Sequence, residues 1–242
     1  MDETAVTETR PTSRVIGARS LVEAAYGIIR HDILTGGLPP GAKLRFDMLR
    51  ERYGVGASTL REALTRLVGE ALVTSEEQRG FRVATVSLED FADLTRTRRL
   101  IEVEALRQSI LFGDDAWEGA LVAAFHRLTK VEEKLLEDPE SQQDEFEDRN
   151  RDFHLTLIAA CPSRWLKHMH GILFHQSERY RRLSLTSRSE SRDVHAEHRA
   201  VFDAVLARDV DLACRLEGEH IERTLSVLSR LLPTRDHDDL AR

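Results

Sequence analysis

The chain has 242 residues, 41% of them hydrophobic and 32% charged, with a formal net charge of -7, a balance that suits a folded helical protein and excludes disordered and membrane-embedded classes. No apolar run approaches the ~20 residues that span a bilayer, and the polar stretch Met1 to Arg19 lacks the hydrophobic region of a secretion signal. Cys161 and Cys214 alone do not make a disulfide framework, so a reducing, cytoplasmic setting is expected.

Residues 1–19 read as a flexible arm. Ser20 is a suitable N-cap for a helix in which Leu21, Ala25, Ile28, Ile29 and Ile33 recur at helical spacing on one face. That helix stops at Gly36-Gly37, and Leu38-Pro39-Pro40-Gly41 forms a rigid turn. A short helix over Phe46–Tyr53 follows, with Gly54 as its C-cap. The next, about Ser58–Glu70, buries Leu60, Ala63, Leu64, Leu67 and Val68, and its other face carries Ser58, Thr59, Arg61, Glu62, Thr65 and Arg66. Two short strands, at Leu72-Val73 and Arg79 to Val83, form a hairpin whose turn Gly80 permits. Helix, tight turn, second helix and two strands make a winged helix-turn-helix over residues 20–86, a unit that lays its second helix in the DNA major groove with the wing beside it.

An acidic chain looks unsuited to DNA, but the charge is unevenly spread. Residues 14–85 carry 11 Lys and Arg against 8 Asp and Glu, whereas residues 86–242 carry 23 against 31. Local charge near the phosphates matters more than the total. The modest basic excess predicts weak non-specific affinity and dependence on dimerisation.

From Ser87 the composition turns rich in Ala, Leu, Glu and Arg, which favours helix. Ser87-Leu-Glu-Asp90 is a capping box with Asp in place of Glu or Gln. Six helices are expected, over about 87–112, 114–137, 140–160, 164–186, 190–207 and 210–232, with breakers at Gly113, Pro139, Pro162 and Pro233. The fold class is thus mainly α: a winged helix followed by an all-α bundle over residues 87–232, and a disordered tail over 233–242. There is no internal repeat, no GxxxxGK and no GxGxxG.

Order and spacing of several short runs over about residues 20–232 resemble the GntR transcriptional regulators, in the FadR-like branch with an FCD effector domain. The runs are Ile33-Leu-Thr-Gly-Gly-Leu-Pro-Pro-Gly-Ala-Lys-Leu44, Tyr53-Gly-Val55, Leu60-Arg-Glu-Ala-Leu64 and Arg79-Gly-Phe-Arg-Val83. In the second half they are Arg98-Arg-Leu-Ile-Glu102, Asn150-Arg-Asp-Phe-His154, Glu197-His198 and Ala213 to His220. Six effector-domain helices rather than seven look like the VanR type of this branch.

In the DNA-binding half, Arg61 can fork onto a phosphate or a guanine edge. Ser58 and Thr59 are hydroxyl donors at a helix N-terminus, and Arg66 shares their exposed face. Arg79 and Arg82 flank the wing turn, and the resemblance implies that such a residue enters the minor groove. The alternative is that these are solvated arginines of a protein-binding module. The family commonly has Ser-Arg where this chain has Gly56-Ala57, so its usual operator does not transfer base for base.

In the effector half, Asn150 and His154 stand one turn apart on a helix, and His198 and His220 come from two later helices. The resemblance implies that this set binds a metal, Zn²⁺ or Ni²⁺ or another first-row divalent ion. Asn150 takes the place of the family's aspartate without its charge, and Glu147 or Asp148 are possible substitutes. The alternative is three core histidines. The resemblance further implies that Arg98 clamps a small carboxylate effector; Arg98 and Glu102 also have the spacing of a plain helix salt bridge. Arg179, Tyr180 and Arg182 are further pocket candidates, and Trp117 and Trp165 read as packing residues. His31, His126, His168, His170, His175, His195 and His237 read as surface or packing histidines. The expected function is a homodimeric, ligand-responsive regulator, a repressor of a pseudo-palindromic operator in double-stranded DNA. Its alternatives are a metal-only sensor, a helical-bundle metalloenzyme and a helical interaction module.

Overall fold

The computed structural model describes residues 20–76, 80–186 and 192–231; the N-terminal arm, Arg79, His237 and the tail from 233 onward lie outside the described residues. Two compact units divide between Ala84 and Thr85.

In the first unit, α1 (Leu21–Leu34) begins at Ser20, whose hydroxyl accepts from the Glu23 N–H at 3.2 Å. Its buried stripe is Ala25, Ile29, Ile33 and Leu34. Leu21 and Ile28, expected on that stripe, are 64% and 40% exposed; at 3.6 residues per turn they stand about 80–100° round the helix from its centre. Next come β1 (Lys43–Leu44), α2 (Phe46–Tyr53), α3 (Ala57–Gly69), β2 (Val73–Glu76) and β3 (Gly80–Val83). The expected hairpin is a three-stranded antiparallel sheet in the order β1-β3-β2, with Phe81 opposite both Leu44 and Ser75. A two-residue strand carries no alternation, so β1 has no pattern to betray it. Gly54 closes α2 with φ 67°, the left-handed conformation that glycine adopts freely. The tight turn after it lets Leu60, Ala63, Leu64 and Leu67 of α3 pack fully buried against α1, α2 and the sheet.

Among the described residues the second unit has six helices: α4 (Leu88–Phe112), α5 (Asp115–Glu137), α6 (Pro139–Leu157), α7 (Arg164–Thr186), α8 (Val194–Leu206) and α9 (Val210–Leu231). Side-chain caps start several of them. Ser87 accepts from the Asp90 N–H, Asp114 from Trp117, and Asp138 from Ser141 with Pro139 at the first helical position. Pro139 thus opens α6 as well as ending α5. The core runs through α4, α5, α6, α8 and α9, with Phe125 stacked on Phe202 at 4.2 Å. Trp117 is buried and its indole N–H donates to the Thr156 carbonyl at 2.8 Å, whereas Trp165 is 61% exposed and is not a packing residue.

Candidate metal centre and DNA-binding face

His154 of α6, His198 of α8 and His220 of α9 are buried, and their ligand-capable nitrogens lie within 4.8 Å of one another. Each ring has a glutamate behind it. Nδ1 of His154 meets Glu102 at 3.0 Å, Nδ1 of His198 meets Glu132 at 2.6 Å, and Nδ1 of His220 meets Glu197 at 2.8 Å. An ionised carboxylate only accepts, so each Nδ1 holds the proton and each Nε2 keeps a lone pair. The buried Nε2 atoms of His154 and His198 have no hydrogen-bond partner among the described residues. Orphaned ring nitrogens backed by carboxylates are the arrangement that orients histidine toward a metal.

The electrostatics agree for two of the three. Burial pushes His198 below the ordinary imidazole value and His220 well below it, keeping both rings neutral. Burial also opposes the charged form of His154, but Glu217 and Glu102 beside it outweigh burial and raise its value. The Glu102 carboxyl is resisted by burial, yet Arg98 and the His154 and His170 rings hold it well below the usual range.

The chemistry of the set, three borderline nitrogen donors on a rigid bundle, fits Zn²⁺ or another first-row divalent ion and suits Mg²⁺ or Ca²⁺ poorly. Asn150 is buried one turn before His154 on α6 and brings an amide oxygen but no charge. The proposed substitutes lie elsewhere. Glu147 is turned onto Arg181 of α7 at 2.9 Å, and Asp148 is an exposed partner of Arg151 at 2.6 Å. The buried carboxylates grouped with His154 are instead Glu102 and Glu217.

Of the effector candidates, Arg98 and Glu102 form a buried salt bridge at 2.7 Å, with Arg98 also reaching Ser177. Glu102 links that pair to His154. Arg179 and Tyr180 occupy another place: the Tyr180 ring stacks on Phe91 at 4.1 Å, its hydroxyl donates to Asp90 at 2.9 Å, and Arg179 pairs with Asp90 at 3.6 Å. Arg182 bridges Asp144 and Glu178. Two histidines read as surface or packing residues join the glutamate shell. His170 is fully buried with Nε2 3.2 Å from Glu102, and His195 meets Glu132 at 2.7 Å. Sequence reasoning missed Glu132, Glu217 and His170. A glutamate three residues before His220 on the buried face of α9 was a usable signal, because Glu is almost never fully buried without a partner. Glu132 offered none.

In the first unit, Ser58 is exposed and Thr59 half-buried in the first turn of α3, where Gly56 supplies no side-chain cap and leaves N–H groups for phosphate. Arg61 is exposed, its guanidinium 5.2 Å from the Phe46 ring centre. Arg66 is engaged within the unit, paired with Glu23 at 2.7 Å and lying over the Tyr26 ring at 4.0 Å. Arg82 is half-buried on β3 and donates to the Gly41 carbonyl at 3.2 Å.

A winged helix with an exposed arginine on its second helix defines a DNA-binding protein, and the separate helical unit carries the polar centre. Residues 21–83 match the bacterial regulatory proteins of the gntR family, and residues 93–223 match the FCD domain. The chain belongs to the GntR family and is a DNA-binding transcriptional regulator, not an enzyme. It is 44% identical over 214 residues to the HTH-type transcriptional regulator BphR of Paraburkholderia xenovorans, covering 88% of this chain and 87% of that one. Identity is 34% over 211 residues to the HTH-type transcriptional repressor GlaR of Escherichia coli, covering 86% and 95%. Among solved structures, E. coli McbR/YncC superposes with a TM-score of 0.70 at 21% identity, covering 88% of this chain and 98% of that one, a likeness of fold. Among the described residues no helix is long and apolar enough to cross a membrane.

Proposed function

We propose that the protein is a repressor whose helical unit holds a divalent metal and responds to a small carboxylate bound beside it. The observation that carries this reading is the set of three buried imidazoles, each with a glutamate on Nδ1, two of them with orphaned Nε2 atoms. Neutral ligands leave the cation's charge uncompensated in its coordination sphere, which favours an anionic group at an open position. Arg98 is the second anchor. Its guanidinium is closed by Glu102, so an incoming carboxylate competes with Glu102, which also touches His154. Effector and metal are thereby coupled through one side chain. The repressor sign is supported by the likeness to GlaR, and a homodimer presenting two α3 helices to a pseudo-palindromic operator is the expected binding form. Effector binding then shifts the equilibrium between forms of different operator affinity.

The test is a thermal-shift screen of mono- and dicarboxylates, with and without prior chelation, followed by operator binding with each hit. An acid that stabilises only the metal-loaded protein and weakens operator binding supports the reading. An acid indifferent to chelation refutes the metal's part in it. A metal-only sensor is the second reading, favoured by the satisfied state of Arg98; in that case chelation alone alters operator affinity.

A further inference from the structure

Four buried glutamates stand around the three imidazoles, and three already have a second positive or donating partner. Glu102 is held by Arg98 through two contacts at 2.7 and 3.4 Å. Glu132 is shared between His198 and His195. Glu197 is gripped by Arg192 at 2.6 Å and by Arg223 at 3.2 Å besides His220. Glu217 differs. It is 1% exposed, and the only basic group within ion-pair range of it among the described residues is the His154 ring, with Nδ1 at 3.2 Å. That ring's proton goes to Glu102, and both Glu217 oxygens lack a hydrogen-bond partner among the described residues. A buried carboxylate without compensation is costly. Asn150, buried one turn before His154 on α6, presents the opposite deficit, a neutral amide at the position where the family resemblance has an aspartate.

We infer that Glu217 supplies from α9 the negative charge that residue 150 does not, acting one shell out through His154 rather than as a direct ligand. The inference rests on the metal reading above. Its geometry is one-sided: Glu217 sits at Nδ1 of His154, and the metal-facing atom is the orphaned Nε2. A cation on Nε2 polarises the ring and places positive charge across it from the Glu217 carboxylate, while the Nδ1 proton stays on Glu102. Glu217 is thus a positioning residue for the centre.

The test uses the full chain, with Zn²⁺ affinity measured by competition against a chromophoric chelator and the donor set read from the Co²⁺ absorption spectrum. Glu217→Gln is expected to lower Zn²⁺ affinity about 10- to 100-fold, leave the Co²⁺ band positions in place, and preserve the circular dichroism of the metal-free protein. Adding Asn150→Asp to that variant is expected to restore most of the loss, a rescue that a packing role for Glu217 would not permit. Unchanged affinity, failure of the rescue, or a shifted Co²⁺ spectrum in Glu217→Gln each overturns the inference. If Glu217→Gln does not fold, Asn150→Asp alone decides: a balanced site gains less than about tenfold, and a larger gain overturns the proposal. A wild-type chain that binds neither ion fells the metal reading itself, whereas tight wild-type binding with a neutral Glu217→Gln fells only this inference.

Discussion

Arg61 and Arg66 share one face of α3, yet the structure separates their roles, and paired substitutions expose the difference. Arg66 is tied to Glu23 at 2.7 Å and lies 4.0 Å from the Tyr26 ring centre, both on α1. Its ion pair is about half exposed on each side, so solvent screening limits it to about 0.2–1 kcal/mol. The cation–π contact adds about 0.5–1 kcal/mol, and Arg66→Ala is expected to cost the first unit about 1–2 kcal/mol of stability. Arg61 has an exposed side chain and a distant aromatic contact at 5.2 Å, so Arg61→Ala leaves stability nearly unchanged. If Arg61 reads a base, its loss weakens operator binding by about 1–3 kcal/mol, or about 5- to 150-fold. Fluorescence anisotropy with an operator duplex at several salt concentrations, beside urea unfolding of the same preparations, measures both. A base contact leaves the salt dependence intact, whereas a phosphate contact lowers its slope by about one. The reasoning is refuted if Arg66→Ala weakens the operator as much as Arg61→Ala at unchanged stability, or if Arg61→Ala leaves affinity untouched.

Chelation is expected to lower the melting temperature of metal-loaded protein, since a ligand at 100 times its Kd stabilises by about 2.7 kcal/mol; calorimetry of His198→Ala should show no response to chelator. Gly113→Ala brings a methyl group to 2.0 Å from the Trp117 ring, although φ there is -67° and unstrained. The ring must shift off the Thr156 carbonyl, at a cost of about 2–4 kcal/mol read by thermal unfolding and tryptophan fluorescence. The Tyr26 hydroxyl is pushed up to about 12 by burial and by its hydrogen bond to Glu70. Because the folded value exceeds the unfolded one, this stabilisation is complete below about pH 10 and is lost as pH rises from about 10 to about 12. Tyr26→Phe should flatten the fall in stability over that window in alkaline denaturation curves.

Much of the architecture was legible because helix formation is local. Ser20 and Ser87 cap helices through neighbours three residues on, and Gly54 ends α2 by its own backbone freedom. Helical spacing likewise placed Leu60, Ala63, Leu64 and Leu67 on one buried face. Leu21 and Ile28 failed the same test, since periodicity marks an apolar stripe but not its edges. Strand β1 escaped because its two residues become a strand only by meeting β3, with Leu44 opposite Phe81 and Lys43 opposite Arg82, so distant pairing rather than local pattern defines it.

The candidate centre divides along the same line. The histidines were visible as residues with spacing and order, and the sequence alone determined that three imidazoles and a neutral Asn150 were available on three helices. Only the tertiary structure decided which carboxylates stand behind them. Glu132 reaches His198 across 66 positions and Glu102 reaches His154 across 52, separations at which no local rule operates. It also turned Glu147 to Arg181, drew Arg66 onto α1 and left both Glu217 oxygens without a hydrogen-bond partner among the described residues. Caps and periodicity depend on neighbours within a turn of chain, whereas the partner of a buried charge is set by how whole helices pack, because removal from water makes each such pairing obligatory.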